Sequence, residues 1–570
     1  MRTPKSLYVQ QRRIYHPELM SCPSCGDLLV GCNYLKWDKI VQTLNQVLSI
    51  ASRPGQCPNP ECAGHAQRLL SAQGQGIAPA SSTYGYDVVT RIGWLRQHRF
   101  ATYEQIHADL SHRVAISESH VRGLYQRSYL PLLACHERRQ RDRLERLASE
   151  QGGLIIALDG LEPEAGEPQL WFIRELSTGL TLRSGWLSRQ TQDAFEDFLA
   201  PLSKLGWPIV AVLSDKQTAL EQAVASKFPN SPHQFCQAHY LRNLAKPLSE
   251  ADAEMKSELR KSVCEHIGEL IRRPVRADAS AHGVLTVTGI LGSPLPGACA
   301  DTDEPSAVVD PQRQVDEVIS SLFAHTRYQL TLKGRPPFNL AGLDTYERLH
   351  QVAQLSLKWL SHRLDPRLFK FYQGLKIALT PFAQTCADLQ QGAVWLRDIA
   401  DILTPWDEVD RSAKQVADHL CGYLDVLYRQ RELPPLLHEF SGHLDTVSQS
   451  YWPGLFHCYK VEGLARTNND LESHFRDLQH RLLRTTGQKG GTRRALHRLG
   501  AWELLKSPPS ESECLEALRQ ISAQELADER QRVDPHRQRF QFEMRSVKRA
   551  DAQLDRLNQQ WFAIPKNSPG

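Results

Sequence analysis

Three carboxylates stand where the chain could hold divalent metal ions. Two short apolar runs, at 154–158 and 209–213, lead within two residues to Asp159 and Asp215, and an amide-rich turn far downstream opens a helix that carries Glu472. Apolar runs of this length are typical of buried strands, so we expect both aspartates at the carboxyl ends of strands, on the rim of a sheet. Oxygen ligands on such a rim can bind a hard divalent cation. The arrangement predicts a two-metal site for phosphoryl transfer.

The chemistry of such a site defines a role for each carboxylate. Two divalent ions about 3.5 to 4 Å apart can align a nucleophile and stabilise the leaving oxygen of an in-line displacement at phosphorus. Magnesium, or manganese in its place, needs only a few carboxylates because it keeps several waters. We expect Asp159 to bridge both ions, Asp215 to bind one ion and Glu472 the other. Each residue alone is better explained as an ordinary strand-end or helix-start carboxylate, and only their joint arrangement favours catalysis.

The elements around the two aspartates predict how they come together. Between residues 153 and 240, three strand patterns are followed by a helix, the strand that leads to Asp215, a second helix and a short strand. This β-β-β-α-β-α-β succession is that of the ribonuclease H-like fold, in which the first and fourth strands are neighbours. We therefore predict an α/β protein whose ribonuclease H-like catalytic core comprises residues 153–240 and 460–505, interrupted by an all-α insertion at 241–459.

Cysteines near the amino terminus predict a separate metal-binding module. The chain has 13 cysteines, an odd number, and five of them lie before residue 63. This pattern favours metal ligation over a disulfide framework. Two tight turns each present a pair of thiols, and four such ligands complete a tetrahedral zinc site, although His65 and Cys32 compete with Cys62 for the fourth position. We predict a zinc-binding module at 1–70 with the ligands Cys22, Cys25, Cys57 and Cys62.

Three helical patterns follow at 84–134. Thr102 and Ser117 are natural N-caps, and apolar residues recur at helical spacing through all three patterns. Three short helices with a tight second turn are typical of a helix-turn-helix, whose third helix enters the major groove of DNA, although an ordinary three-helix module explains the pattern equally well. A charged helix at 135–150 would connect this domain to the sheet. The residues predicted to contact DNA are His120, Arg122, Gln126 and Arg127.

A basic run follows Glu472. The net charge of +4 is too small to indicate nucleic-acid binding by itself, so DNA contact must rest on local surfaces. A basic run is most often a solvated surface, but the position of this one, with Asp477 as its single acid, favours a phosphate clamp. The charged, helical tail at 510–570 could serve self-association or DNA contact. The cations of the run are Arg476, Arg481, Arg484, Lys489, Arg493, Arg494 and Arg498.

The order of the motifs resembles that of a known enzyme family. Four motifs follow one another around a long helical insertion: Asp159-Gly160, Ser214-Asp215, Cys236-Gln237-Ala238-His239 and Thr467-Asn468-Asn469-Asp470-Leu471-Glu472. The succession is similar to that of the DDE transposases of the Mutator-like and related insertion-sequence type, which share a Cys-x-x-His motif after the second aspartate.

The resemblance, which covers residues 153–500, implies a function and its partners. Asp159, Asp215 and Glu472 would be the catalytic triad, with two magnesium or manganese ions in each active site. The reaction would be hydrolytic nicking at transposon ends, followed by attack of the freed 3′-hydroxyl on target DNA. The DNA partners would be the end repeats and the target, and a homodimer or higher oligomer would form the synaptic complex.

Two other functions fit the same features. A domesticated DNA-binding regulator would keep the fold and lose the chemistry, and the presence of all three carboxylates argues against it. A structure-selective nuclease on the same fold would cut branched DNA without strand transfer, and the separate end-reading modules argue against it.

Two further expectations concern a second metal site and the cellular location. Cys236 and His239 could bind a second zinc ion, although a buried, hydrogen-bonded pair is the simpler interpretation. No apolar stretch approaches the roughly 20 residues needed to span a bilayer, and no signal core follows Met1. We therefore expect a cytoplasmic, nucleoid-associated protein without a membrane partner. The residues that could complete the second zinc site are His438 and His443, or His457 and Cys458.

Overall fold

The chain divides into two compact units, Met1–His233 with Gly463–Gly570 and Gln234–Glu462. Each unit is described by itself. The computed structural model describes residues 7–161, 168–272, 311–404, 412–430, 432–487, 500–540 and 547–563.

The first unit begins with a small β module. Its strands are β1 (Gln11–Tyr15), β2 (Val30–Gly31), β3 (Lys36–Gln42), β4 (Val47–Ser52) and β5 (Gly55–Gln56), followed by the one-turn helix α1 (Ala72–Gln75). β4 lies between β1, which is parallel to it, and β3, which is antiparallel, while β2 pairs with β5. The apolar core is limited to Val41, Leu48, Ile50, Ala78 and a few partly buried neighbours. A core this small is typical of modules that a structural metal stabilises.

A helical domain follows. Its helices are α2 (Tyr86–His98), α3 (Tyr103–Ser111), α4 (Glu118–Leu124), α5 (Leu130–Arg138) and α6 (Arg141–Gln151), with a π-helical turn at Tyr125–Tyr129. The side chains of Thr102 and Ser117 accept hydrogen bonds at the starts of α3 and α4, as predicted. The third predicted helix does not end at Tyr129 but continues into α5. The π turn lies directly before Pro131, which lacks the N–H of a regular helical bond. The wider turn accommodates that loss, so the helix can continue.

The central sheet of the first unit has the strand succession that the sequence predicted. Its elements are β6 (Leu154–Leu161), β7 (Gln169–Glu175), β8 (Thr181–Leu187), α7 (Gln192–Leu199), β9 (Ile209–Ser214) and α8 (Thr218–Lys227), and β10 (His233–Phe235) spans the division between the units. The strand order is β9-β6-β7-β8, with β6 and β9 parallel and the other pairs antiparallel. The first and fourth strands are therefore neighbours, as predicted.

The two faces of β6 have different surroundings. Leu154, Ile156 and Leu158 alternate along the strand and pack in one cluster with Phe195 of α7 and Val224 of α8. Because side chains alternate along a strand, residues 155, 157 and 159 project from the opposite face. Asp159 therefore faces away from the α7 and α8 layer.

The second unit is helical in every described element from its first helix to its last, as predicted for the insertion. Trp395 is buried and Trp359 is partly buried against the same core, as expected of core tryptophans, and Trp406 lies outside the described residues. The helices are α9 (Gln237–Leu244), α10 (Lys246–Arg272), α11 (Pro311–Gln329), α12 (Ala341–His362), α13 (Pro366–Leu379), α14 (Ala383–Leu403), α15 (Ala413–Tyr428) and α16 (Pro435–Tyr451).

The carboxyl-terminal segment returns to the first unit. Its helices are α17 (Asn469–Thr486), α18 (Glu511–Arg519), α19 (Ala523–Phe540) and α20 (Val547–Ala563), with a 3₁₀ turn at Gly500–Leu504. Glu529 of α19 is buried and accepts hydrogen bonds from Arg138 of α5 at 2.7 Å and from Trp502 at 3.0 Å. Glu511 of α18 forms an ion pair with Arg91 of α2 at 2.9 Å. The tail as far as Glu529 is thus part of the helical domain rather than a free arm. None of the described helices is long and apolar enough to cross a membrane.

Candidate active site

The pairing of β6 with β9 places Asp159 beside Asp215. The last register pair of the two parallel strands is Ala157 with Leu213. Two residues further along both chains, the same register brings the two aspartates level with each other, and both are half-buried. Equivalent residues of adjacent parallel strands project from the same face of a sheet. The two carboxylates therefore lie beside each other on neighbouring strands, as predicted, although β6 continues two residues beyond Asp159 to Leu161.

Helix α17 is attached to β6 immediately before Asp159. The side-chain amide of Asn468, which is 1% exposed, donates a hydrogen bond to the main-chain carbonyl of Leu158 at 3.0 Å. The ring of Phe475 packs against that of Phe172, whose main chain pairs directly with Asp159, with 5.6 Å between the ring centroids. The start of α17 is therefore fixed over the face from which Asp159 projects.

A second link joins α17 to β7. Arg174 is buried, donates to the carboxylate of Asp470 at 2.7 Å, and donates through Nε to the carbonyl of Gly179 at 2.9 Å. Arg174 pairs with Ala157 in the sheet, so it lies on the strand next to β6. The first turn of α17 is thus bound to two adjacent strands, through Asn468 and Asp470. Sequence reasoning missed this ion pair, because its partners lie 296 positions apart and neither residue type is unusual where it stands.

Glu472 is half-buried in the first turns of α17. Asn468 is the N-cap residue, but its side chain makes no cap hydrogen bond and instead reaches the sheet, and α17 begins at Asn469. Glu472 is therefore the fourth residue of the helix, one position beyond the capping site. Capping does not account for its presence.

All three candidate carboxylates offer oxygen donors to divalent ions. Among the described residues, their oxygens do not all lie within 4.8 Å of one another. A mutual distance that short is not required, because two ions about 4 Å apart, each about 2 Å from its ligands, allow the outer ligands to be separated by about 8 Å. All three donors are oxygen atoms, which magnesium and manganese prefer to nitrogen or sulfur. The donor set therefore fits a divalent pair.

The match to known proteins lies across part of this region. Residues 184–266 match the family described as Transposase, Mutator family, and this segment includes Asp215, Cys236 and His239. This segment, less than a fifth of the chain, is similar to the Mutator-family transposases. The match confirms the predicted resemblance to a transposase and supports a transposase function.

Other comparisons add little to this relationship. No curated protein matches the chain. A solved structure, the Drosophila P element transposase strand transfer complex, is similar over 77% of this chain and 91% of its own, with 11% identity and a TM-score of 0.27. A similarity at this TM-score does not define a shared fold.

The four predicted zinc ligands form one cluster. The sulfur atoms of Cys22, Cys25, Cys57 and Cys62 all lie within 4.8 Å of one another, with 3.8 Å between the first and fourth and 3.5 Å between the second and third. Four thiolates about 2.3 Å from a tetrahedral zinc ion would be about 3.8 Å apart. The arrangement therefore fits one zinc ion.

Two glycines allow the chain to wrap closely around this cluster. Gly26 has φ +82°, which side-chain-bearing residues rarely adopt, and its N–H binds the carbonyl of Cys22 at 2.9 Å. A Cβ on Gly64 would approach the sulfur of Cys22 to 2.9 Å. Of the competing ligands, Cys32 is not in the cluster, and His65 has its Nδ1 2.8 Å from the carbonyl of Cys57. Cys62 is therefore the fourth ligand that the geometry favours.

The suggested second zinc site is not completed within its own unit. Cys236 is buried, and its sulfur lies within 4.8 Å of a ring nitrogen of His239. The Nε2 of His443 is 2.9 Å from the carbonyl of Asn243. Among the described residues of this unit, neither His438 and His443 nor His457 and Cys458 joins the pair in a group of three ligands.

The predicted groove-reading residues divide by exposure. Arg122 and Arg127 are exposed, whereas His120 and Gln126 are half-buried. The His120 ring packs on Tyr84 with 5.0 Å between centroids, and burial lowers its pKa below the usual value. The two arginines are the members of this set that DNA could reach.

The cations of the basic run also differ in exposure. Arg476 and Arg484 are exposed on α17. Arg481 is buried, hydrogen-bonds to the main-chain carbonyl of Glu503 and lies 3.6 Å from its carboxylate. Its prediction as a DNA contact is therefore wrong, because its position on α17 faces the 3₁₀ turn of the same unit. Four predicted contacts lie outside the described residues: Lys489, Arg493, Arg494 and Arg498.

Proposed function

We propose that the protein is a DNA transposase that uses Asp159, Asp215 and Glu472 to cleave DNA at transposon ends and to join the freed ends to target DNA. The observation that carries this proposal is the register of β6 and β9, which sets Asp159 and Asp215 side by side on adjacent strands, together with the hydrogen bond that attaches α17 to β6. The family match over 184–266, which includes Asp215, supports the same assignment. We further propose that the sheet and α17 form a ribonuclease H-like core.

The three carboxylates approach the site from different elements. Asp159 lies on β6, between β9 and β7, and would contact both ions. Asp215 follows β9, and Glu472 comes from the helix bound to β6 and β7. Each would hold one ion. Two magnesium or manganese ions, when bound, would activate the attacking oxygen and neutralise charge on the scissile phosphate.

The reaction would consist of two displacements at phosphorus. In the first, a water oxygen bonds to phosphorus, the bond from phosphorus to the 3′ oxygen breaks, and the 3′ oxygen takes up a proton. In the second, this 3′-hydroxyl loses its proton and bonds to a target phosphorus, and the target's own bond from phosphorus to the 3′ oxygen breaks. Both steps are in-line, so one arrangement of ligands can serve both.

Three features of the first unit suit binding of the DNA partner. Arg122 and Arg127 are exposed on the helix predicted to read the groove, and Arg476 and Arg484 are exposed on the helix that carries Glu472. The four-cysteine cluster would hold zinc and order the amino-terminal module. Exposed arginines can contact phosphate from several directions, which positions DNA without selecting its sequence.

The test replaces each carboxylate with its neutral isostere and measures nicking of DNA that contains the sequences flanking the gene. Asp159→Asn, Asp215→Asn and Glu472→Gln should each lower the Mg²⁺-dependent rate by about 100- to 1,000-fold or more, because each removes a ligand charge that stabilises the transition state. DNA binding, measured by fluorescence anisotropy without metal, should remain unchanged.

A matched control lies on the same helix as Glu472. Asp477 is exposed on α17 and pairs with Lys506 at 3.4 Å, so Asp477→Asn removes one carboxylate without touching the site. Wild-type activity in any triad variant, or equal losses in the control, would overturn the assignment. Nicking without joining of the 3′ end to a supercoiled target would show a nuclease instead of a transposase.

A further inference from the structure

The carboxyl-terminal helix α20 carries an exposed apolar stripe. Leu554 is 64% exposed, Leu557 is 44% exposed and Trp561 is 72% exposed. Every residue of α20 whose burial is described is exposed. Isolated helices of this length are marginally stable in water, and most helices in proteins are stabilised by packing one apolar face. The stripe therefore requires a partner.

The spacing of the stripe defines the shape of that partner. Leu554, Leu557 and Trp561 are separated by three and then four positions, and in the sequence the same alternation extends back to Ala550 and Val547. Apolar residues that alternate at spacings of three and four form the a and d seam of a coiled coil, which packs against a helix with the same repeat. Phe562, which is 78% exposed, stands next to Trp561 outside the a and d positions and widens the apolar face at that end of the helix.

We propose that α20 is a self-association helix and that its partner is α20 of a second copy of this chain. The flanking e and g positions with described side chains are Asp551, Asn558 and Gln560, so a single acid stands beside the seam. No block of like charges along the seam would repel a second copy of the helix. Two identical helices also have the same apolar repeat, so their seams can pack against each other.

The charges of α20 argue against DNA as the partner of the stripe. The helix contains three bases and two acids, a net charge of +1, which is less than a phosphate-binding surface requires. Its apolar stripe would also remain exposed if the polar face lay on DNA. A second copy covers the stripe, whereas DNA does not.

The helix is short, so the contact should be reversible. Its 17 residues span about 25 Å, which is close to two and a half heptads. We expect a monomer–dimer equilibrium that depends on chain concentration. This inference goes beyond the proposed function, because two copies can meet at α20 whether or not the carboxylate site cleaves DNA.

Sedimentation equilibrium of the full chain, without DNA or added Mg²⁺, tests the proposal over a concentration series. Wild type should approach twice the mass of one chain as concentration rises. The double variant L554E/L557E should weaken dimerisation at least tenfold, because it places charge in the seam. The control A552E/Q559E adds the same charge on the opposite, exposed face of the helix and should dimerise like wild type.

Three outcomes would overturn the proposal. Wild type could stay at the mass of one chain at every concentration, which would leave the stripe to a partner within the chain or elsewhere. L554E/L557E could dimerise as well as the control, which would place the contact on another surface. L554E/L557E could lose affinity for DNA while its sedimentation mass stays that of wild type, which would show that α20 contacts DNA instead. Circular dichroism of both variants establishes that the fold is retained.

Discussion

Replacing Asn468 with alanine should impair metal-dependent cleavage although Asn468 is not a proposed metal ligand. Its amide donates to the Leu158 carbonyl at 3.0 Å, and both residues are buried. This bond lies at the level just beyond the last β6–β9 pair, Ala157 with Leu213. Its loss would leave a buried acceptor without its donor directly before Asp159 and would release the start of α17. Glu472 would then be held less closely to the other two carboxylates.

The size of the effect follows from the bond that is lost. A buried acceptor left without its partner destabilises the folded arrangement by about 1 to 3 kcal/mol. If this free energy is lost from the state in which α17 is seated on β6, the equilibrium for seating falls by about 5- to 160-fold. The Mg²⁺ concentration required for half-maximal nicking should rise within that range. Asn468→Asp should behave similarly, because an ionised carboxylate cannot donate to the carbonyl.

The adjacent residue provides the control. Asn469 is exposed, so Asn469→Ala changes the same residue type one position away without disturbing the sheet contact. Nicking rates are measured over a Mg²⁺ titration for both variants, with DNA binding measured separately. If Asn468→Ala and Asn469→Ala require the same Mg²⁺ concentration as wild type, the Asn468 bond does not position Glu472.

Three further results are expected from the rest of the first unit. Metal analysis should find one zinc per chain, lost in Cys57→Ser and retained in Cys421→Ser, whose thiol is exposed on α15; two zinc ions per chain would revive a site at Cys236 and His239. Arg476→Ala and Arg484→Ala should each reduce the slope of log binding constant against log salt by about 0.9, and unchanged slopes would remove them from the interface. Burial, followed by the charges of Arg174, Lys506 and Arg481, lowers the pKa of His474 to about 3, so the folded protein keeps this ring neutral while the unfolded chain protonates it. Its contribution to the free energy of unfolding is complete above pH 6.5 and decreases by up to about 1.4 kcal/mol per pH unit below that value. Urea unfolding at pH 7 and pH 5 measures this: between the two pH values, the free energy of unfolding of His474→Gln should decrease less than that of wild type.

Much of the sheet was predictable because β6, β7 and most of β9 are buried on both faces. Such strands appear in a sequence as uninterrupted apolar runs, and the run before each aspartate is one of them. The helices between the strands were marked by caps such as Thr191, which accepts from the N–H of Ala194. Strand succession then determined which strands could pair. Asp159 and Asp215 could therefore be placed side by side from local signals together with the strand order of the ribonuclease H-like fold.

The roles of the arginines could not be predicted in the same way. Arg481 and Arg484 stand in one basic run, yet the first is buried against Glu503 and the second is exposed. Both are one helical turn or less from apolar residues, so periodicity alone does not separate a snorkelling arginine from a surface arginine. The deciding partner, Glu503, belongs to a different element. Charge patterns indicate a basic helix but not which of its cations remain free for DNA.

The two asparagines before Glu472 have roles that the neighbouring sequence does not distinguish. Both are of a type that caps helices, and their sequence neighbours do not say which one begins α17. The structure separates them, because Asn468 is buried against the carbonyl of Leu158, 310 positions away, while Asn469 is exposed. A capping role would make the two alanine variants differ only in stability. A positioning role makes Asn468→Ala differ from Asn469→Ala in its Mg²⁺ requirement, so this pair of variants decides whether the amide-rich turn merely starts the helix or also places its glutamate.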